Sequence, residues 1–528
     1  SRDRKQGAPD VETGLRDTAS PGSAAGVARK AREDCRKSAA RPAPFCHTFS
    51  ADGRHFVYDV HTNGLLEVEP ALAAVLPLYG PFTRREIVAE LAPRFDAATV
   101  RAAFAAIEQG RRERGLFLAH RPRLVPPPPE QAAPGVCDRG LQQLVLTVTE
   151  RCNLRCRYCV HGAHLDWVRP HGLVSMSVAT AQRAVRWFLD RADPGEAPVI
   201  SFYGGEALLK PELITAVVAT ARAHPRGVGV RFALDTNGVL LDERAIDLAV
   251  RERMYVQVSL DGPAPEHDRH RVDVGGAPTH ARIEAGLDRL LARDPTVAQR
   301  LSFMVTLAPP VDVAAVARYF ADFPPFRRHG IRRAPRLRVG MADLRGHEWH
   351  EAVPGRKELA QALEALESSY FAMLVDGRRS EAGPVAAALC EPALIRWHHR
   401  SRRPLGRTWT PGGNCRPGRR KLHVMPDGSF HPCERTGQVM SIGDVDRGIE
   451  PARVRALQGA FHRAVAAGCG DCWALRRCSV CFAVQAAETG GYAGALPDGS
   501  CAKQRQAQEQ LLMQVARSLL LPASARSW

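Results

Sequence analysis

No stretch of about 20 apolar residues occurs in the 528-residue sequence, so no transmembrane helix is expected. The first 40 residues mix Arg, Asp, Glu, Ala and Ser without an apolar segment, so no signal peptide is expected either. No internal repeat is evident. Acidic residues are in deficit, with 56 Asp and Glu against 73 Lys and Arg, a net charge of +17. Arginine used freely on solvated surfaces accounts for this most simply. The functional alternative is an acidic partner, a peptide or, as the weaker reading, nucleic acid, and charge alone does not choose between them.

What is present is a globular composition, 45% hydrophobic and 24% charged, in a chain long enough for about two to four domains. Cysteine is the informative residue. There are 14, and seven of them fall between Cys415 and Cys501. In a chain without a secretion signal, cysteines crowded in this way read as metal ligands in a reducing compartment, which here means the cytoplasm.

Along the chain, residues 1–44 are polar and punctuated by Ala, Gly and Pro, and they read as a disordered tail. Residues 45–124 read as a small domain. His55–Val60 alternates, Thr62-Asn63-Gly64 turns and Leu65–Val68 returns, a β-hairpin pattern. Helical patterns follow at Pro70–Tyr79, Thr83–Ala92 and Ala97–Arg114, the second opened by Thr83 with Glu86 three residues on. Gly115–Leu118 predicts a short closing strand. Residues 125–140, with four consecutive prolines from Pro126 to Pro129, read as a stiff linker.

Residues 141–385 alternate short strands with amphipathic segments. The strands are expected at Leu144–Glu150, Pro198–Tyr203, Val230–Asp235, Tyr255–Leu260, Leu301–Leu307 and Leu337–Met341. Such alternation implies an α/β fold with a parallel sheet, open or barrel-like. The strands look near-continuously apolar, as if buried on both faces. From residue 386 onward this rhythm gives way to cysteine.

The first strand runs into Cys152, Cys156 and Cys159, spaced Cys-x3-Cys-x2-Cys. Three thiolates on one loop leave an iron of a four-iron cluster open to another ligand, because a saturated cluster takes four cysteines. A structural zinc site is the alternative, but such sites are closed with four ligands, and the nearby His161 and His164 are awkwardly spaced to supply the fourth. Gly204-Gly205-Glu206 follows the second strand, Thr236-Asn237-Gly238 the third, and Ser259-Leu260-Asp261-Gly262-Pro263 the fourth, with His267-Asp268-Arg269-His270-Arg271 after it. This ordered set resembles the radical S-adenosylmethionine (SAM) superfamily. The resemblance implies a partial (β/α)6, TIM-like barrel that binds SAM and a 4Fe–4S cluster at its C-terminal mouth. It implies reductive cleavage of SAM to a 5′-deoxyadenosyl radical, which abstracts hydrogen from an unactivated carbon. Tyr158, Gly204, Gly205, Glu206, Asn237, Ser259, Arg269 and Arg271 become the candidate cofactor-binding residues. Glu206 is a candidate organiser of its loop, and Arg269 or Arg271 a candidate partner of the SAM carboxylate.

Downstream come Cys415, Gly428, Cys433, then Cys469-x2-Cys472-x5-Cys478-x2-Cys481 and Cys501. This resembles the SPASM extension of peptide- and protein-maturing radical SAM enzymes, with x2 where x3 is usual. By that resemblance Cys469, Cys472, Cys478 and Cys501 hold one 4Fe–4S cluster. Cys415, Cys433 and Cys481 hold another, with Cys390 or an open iron as its fourth position. A hairpin at Pro426–Ser429 would bring Cys415 and Cys433 together. A zinc ribbon is the alternative for the Cys469–Cys481 run. Two further clusters suggest electron transfer during turnover, and the resemblance implies a flavodoxin- or ferredoxin-type donor.

The small N-terminal domain resembles the winged-helix-like peptide-recognition element of ribosomal-peptide maturases, which would bind a leader peptide by adding a strand to its sheet. The expected function is therefore modification of a peptide or protein, with a thioether cross-link first. A carbon–carbon or carbon–oxygen link, or formylglycine formation in a sulfatase, comes next. An iron–sulfur regulator that binds DNA is the alternative from another class. Neither the general base nor the catalytic residue is named by the sequence.

Overall fold

The computed structural model describes residues 42–133, 135–162, 170–343, 354–411, 416–436, 440–482, 496 and 499–519. The expected tail falls almost wholly outside these, and so does Cys415. Most of the chain up to His120 forms one compact unit, and residues from Arg121 onward belong to a second. Among the described residues, no helix is long and apolar enough to cross a membrane.

In the first unit, strands β1 (Cys46–Ala51), β2 (Arg54–Asp59) and β3 (Gly64–Val68) form one sheet in that order. Helices α1 (Pro70–Val75), α2 (Arg84–Leu91) and α3 (Ala97–Arg114) follow. The hairpin is where the alternation placed it. Strand β1 went unread because His47, Thr48 and Ser50 dilute its apolar signal. Thr83 and Glu86 form a reciprocal capping box at the start of α2. The expected strand at Gly115–Leu118 does not form. Phe117 takes a left-handed backbone, φ 56°, and its N–H donates to the buried Asp59 carboxylate at 2.8 Å. Leu116 and Phe117 are spent on filling the core beside Ile87 and Phe104.

The second unit opens with β4 (Arg123–Leu124). The proline segment after it is not a free tether. Val125 N–H donates to Trp409 O, and Ala132 and Cys137 are buried in the main core. Six strands then alternate with helices: β5 (Gln143–Thr149), α4 (Val178–Arg191), β6 (Val199–Gly204), α5 (Pro211–Ala223), β7 (Arg231–Thr236), α6 (Glu243–Arg251), β8 (Tyr255–Ser259), α7 (Ala264–His270), α8 (His280–Arg293), β9 (Leu301–Leu307), α9 (Val313–Ala321), α10 (Pro324–Arg328) and β10 (Arg336–Met341). Neighbours pair in parallel and in sequential order. All six expected strands are present. Ser177, Asp242 and Asp312 cap α4, α6 and α9.

The later strands are not buried on both faces. In β7, Phe232, Leu234 and Thr236 are buried, while Arg231, Ala233 and Asp235 point the other way and are not. β8 and β9 alternate likewise. One face packs on helices and supplies the core. The opposite face is half-buried along Asp235, Gln257, Ser259 and Thr306, and it carries these polar residues.

After β10 come α11 (Arg356–Val375), α12 (Gly383–His398) and β11 (Thr408–Trp409), the last parallel to β4. The boundary expected at 385 is absent as a structural break. β12 (Lys421–Val424) pairs in parallel with β5 through Lys421↔Gln143 to Val424↔Leu146. β13 (Ser429–His431), β14 (Gly443–Asp444) and β15 (Gly448–Ile449) continue the sheet, giving ten strands. α13 (Pro451–Cys469) and α14 (Ser500–Leu519) complete the described chain.

Candidate active site

The carboxyl ends of β5–β8 deliver the sequence-marked residues to one place. β5 ends at Thr149 and the chain turns into the Cys152–Cys159 loop. That loop is held from two sides by backbone bonds. Gly205 N–H donates to Thr149 O and Glu206 N–H to Arg151 O, both at 2.9 Å. Opposite, Arg155 N–H donates to Val272 O and Arg157 N–H to His270 O, while Val274 N–H reaches Asn153 O. The approach on the first side requires glycine. Gly204 has φ 148°, and a Cβ there would lie 2.3 Å from Thr149 O; at Gly205 it would lie 2.2 Å from Arg151 O.

Glu206 is buried and organises this junction. Its carboxylate accepts from Thr236 Oγ1 at 2.8 Å, Asn237 N–H at 2.7 Å and Leu208 N–H at 3.0 Å. Burial pushes its pKa up, and these three donors pull it back. Asn237 then reaches the cysteine loop. Its Nδ2 donates to Asn153 Oδ1 at 2.8 Å and lies 3.9 Å from Cys152 Sγ.

Arg271 is buried beside the thiols. It donates to Tyr158 Oη at 2.9 Å and sits 3.7 Å from Cys156 Sγ, with Asp261 3.9 Å away. Tyr158 in turn donates to Asp261. The structure therefore sets Arg271 under the cysteine loop as a positioning group. Arg269 is engaged too, by the Glu266 carboxylate at 2.8 Å. Both arginines are thus within ion-pair distance of a carboxylate of the chain itself. Ser259 lies half-buried at the end of β8, on the face of the sheet opposite the core.

The thiols of Cys152, Cys156 and Cys159 are near enough to act electrostatically on one another. Burial pushes Cys156 up to about 12, against the pull of Arg271. Thiols so buried become thiolates readily only when a bound cation supplies charge. Among the described residues, no three His, Cys, Asp or Glu converge tightly enough for a single metal ion. A multi-iron cluster spreads its ligands more widely, and three thiols with Arg271 and Asn237 directed at their sulfurs fit its cysteine shell.

Several of the C-terminal cysteines are neighbours of one another. Cys469 is acted on by Cys472, Cys478 and Cys501, and burial pushes it up to about 12. Cys433, just past the β12–β13 hairpin, has Cys481 as its cysteine neighbour. Cys390 is not brought to that pair. It is buried in α12, and the ionisable groups acting on its thiol are Glu367 and Glu391.

The sequence reading missed the polar groups between these sites. Asp235 and Gln257 on the half-buried face are bonded at 2.6 Å, and Lys421 pairs with Glu434 at 3.1 Å. Burial and the neighbouring Glu434 push Asp235 up to about 6. A period-two pattern within β7 and β8 was the available signal.

A family model, the Radical SAM superfamily, matches residues 146–308. This segment is a radical SAM domain. GTP 3′,8-cyclase 1 of Mycobacterium tuberculosis strain H37Rv is 31% identical over 172 residues, 32% of this chain and 45% of that protein. The chain thus spans under half the length of this curated relative. Among solved structures, native anSMEcpe with bound AdoMet superposes with TM-score 0.53 at 18% identity, covering 74% of this chain and all of that one. The same protein with bound AdoMet and the Cp18Cys peptide gives 0.51 at 19%, covering 72% and 99%. At these identities the likeness is one of fold.

Proposed function

We propose that this chain is a radical SAM enzyme that modifies a peptide or small protein, forming a thioether cross-link. The observation that carries the reading is the ordered convergence of Cys152, Cys156 and Cys159 with the Gly204–Glu206 junction and Asn237, followed later in the chain by two further cysteine groups. When bound, a cluster at the first site together with SAM supplies a 5′-deoxyadenosyl radical. The chain's own residues hold that site still. Glu206 ties β6 to β7, Asn237 and Arg271 direct donors at the cysteine sulfurs, and Gly204 and Gly205 allow backbone to approach the methionine amine. Ser259 and the half-buried face beyond it are offered to the cofactor or substrate. Asp235, with its raised pKa, is a group able to take up a proton near neutral pH.

The first unit supports a peptide substrate. Its three-stranded sheet has β1 and β3 as edges, and a leader strand added there would be fixed by backbone bonds. The cysteine groups Cys469/Cys472/Cys478/Cys501 and Cys433/Cys481 support two auxiliary clusters, with Cys415 as the third cysteine of the second. A cytoplasmic location suits oxygen-labile clusters of this kind. A second reading, a nucleotide substrate, is favoured by the curated relative's name and rests on a match to under half of that protein.

The test is anaerobic reconstitution followed by turnover with SAM and dithionite, offering in parallel a cysteine-containing peptide encoded beside this gene and GTP. Loss of two hydrogens from the peptide, with the new bond at a cysteine sulfur, is expected. Conversion of GTP with an unaltered peptide would replace the first reading by the second.

A further inference from the structure

All four thiols of the Cys469/Cys472/Cys478/Cys501 quartet line one cavity of about 1080 Å³. The cavity lies at the amino ends of the sheet strands, where Gln142, Gln143, Val199 and Arg231 contribute to its wall. The Cys152–Cys159 loop is at the carboxyl end of the same strands. The two thiol sites are therefore separated by about 20 Å, the length of a strand of six or seven residues.

Two features distinguish this cavity. Cys501 is exposed, so a group held by the quartet would reach the surface. The cavity is also ringed by cations. Arg231, Arg416, Arg419, Arg420 and Arg505 line it and are exposed, while Glu196 is the one acidic residue among the described lining. Arg420 is partly committed, donating to Gln142 Oε1. A thiol quartet with one exposed member within such a ring is a redox-accessible point inside a positive field.

We propose that this mouth is the docking surface for an acidic one-electron carrier protein of the flavodoxin class. The carrier's anionic flavin hydroquinone would give up one electron and no proton, becoming the neutral semiquinone, and Cys469, Cys472, Cys478 and Cys501 would hold the oxidised cluster able to accept that electron. This rests on the reading that the quartet holds an iron–sulfur cluster. Because the mouth and the Cys152–Cys159 loop lie at opposite ends of the strands, carrier and substrate bind together without competing. A nucleic acid would match the charge but has no use for a thiol quartet with an exposed member, so the carrier is favoured.

The test uses reconstituted full-length protein and a purified acidic flavodoxin. A cavity variant carries Arg416→Glu, Arg419→Glu and Arg505→Glu. A control carries Arg244→Glu, Arg318→Glu and Arg332→Glu, an equal charge change at exposed positions elsewhere, and the three cavity arginines changed to Gln form a milder variant. Iron content is measured first, since loss of the quartet's iron already in the wild type defeats the cluster reading rather than the docking. With iron intact, calorimetric binding of oxidised flavodoxin at low salt is expected to weaken at least tenfold in the cavity Glu variant and less in the Gln variant. The control should bind like the wild type. The difference should close as ionic strength rises, while dithionite-driven SAM cleavage stays unchanged. Equal binding by cavity and control variants overturns the proposal. So does competition between flavodoxin and the substrate peptide, or an oligonucleotide that binds with the same arginine dependence where flavodoxin does not.

Discussion

The two best-described thiol sites use the same side chain in opposite settings. The thiols of the Cys152–Cys159 loop are all half-buried, with the buried Arg271 3.7 Å from the Cys156 sulfur and Asn237 3.9 Å from that of Cys152. The quartet at the other end of the sheet has one thiol exposed and a wide, cation-lined opening. A packed site limits water at a reactive species and fixes its geometry. An open one exchanges with something outside. Where each sits along the strands matters as much as what it holds.

The comparison breaks most completely if the sites are not independent. Changing Cys152, Cys156 and Cys159 to Ala together is expected to abolish SAM cleavage and lower iron from about twelve per chain to about eight. Iron analysis that fell to near zero would show that the quartet depends on the first loop. The converse variant, Cys469→Ser, is expected to keep dithionite-driven SAM cleavage within a few-fold while peptide product falls at least about 100-fold, roughly 2.7 kcal/mol in the barrier of the coupled step. Mass spectrometry of both products decides.

Smaller effects sharpen the contrast. Glu206→Ala leaves three donors without their acceptor inside the first site, an expected loss of about 2–4 kcal/mol in a denaturant titration of the apo protein; Glu206→Gln should lose less. Asp235 stands on the half-buried face near Glu434. Its value of about 6 in the folded chain lies above the ordinary 3.8. The folded state therefore holds that proton more tightly than the unfolded state, and the stability this lends at low pH is lost as pH rises through about 6. Between pH 5 and pH 8, Asp235→Asn should escape about 1 kcal/mol of the destabilisation the parent suffers. Parallel pH titrations of thermal stability would show no such gap if Asp235 were solvated.

Six strands and the loop that carries the first cysteines were legible because each strand is a short apolar run followed by its polar motif. The order of those motifs gave the placement of Gly204–Glu206 and Asn237. What stayed hidden depended on tertiary context. Nothing local distinguishes Arg271, buried under the cysteines, from Arg269, which pairs with Glu266 three residues away. Cys390 looked available in one dimension, yet α12 turns it toward glutamates. The proline run promised a linker because proline is read by its backbone, while Ala132 and Cys137 just beyond it enter the core. Strand β1 and the failed strand at Phe117 show the same limit, since the buried Asp59 carboxylate captured the N–H that a strand there would have used.

The pairing of β12 with β5 also bears on how the protein is made. Thr147 in β5 meets His423 in β12, 276 positions later, through a 2.8 Å hydrogen bond. At about 5–20 residues per second, a ribosome needs roughly 15–55 s to supply that partner. For that interval β5 has a completed neighbour on one side and an unfilled strand edge, rich in Leu and Val, on the other. Such an edge templates unwanted pairing, so slow growth, lower temperature and abundant chaperone are expected to raise the yield of folded chain.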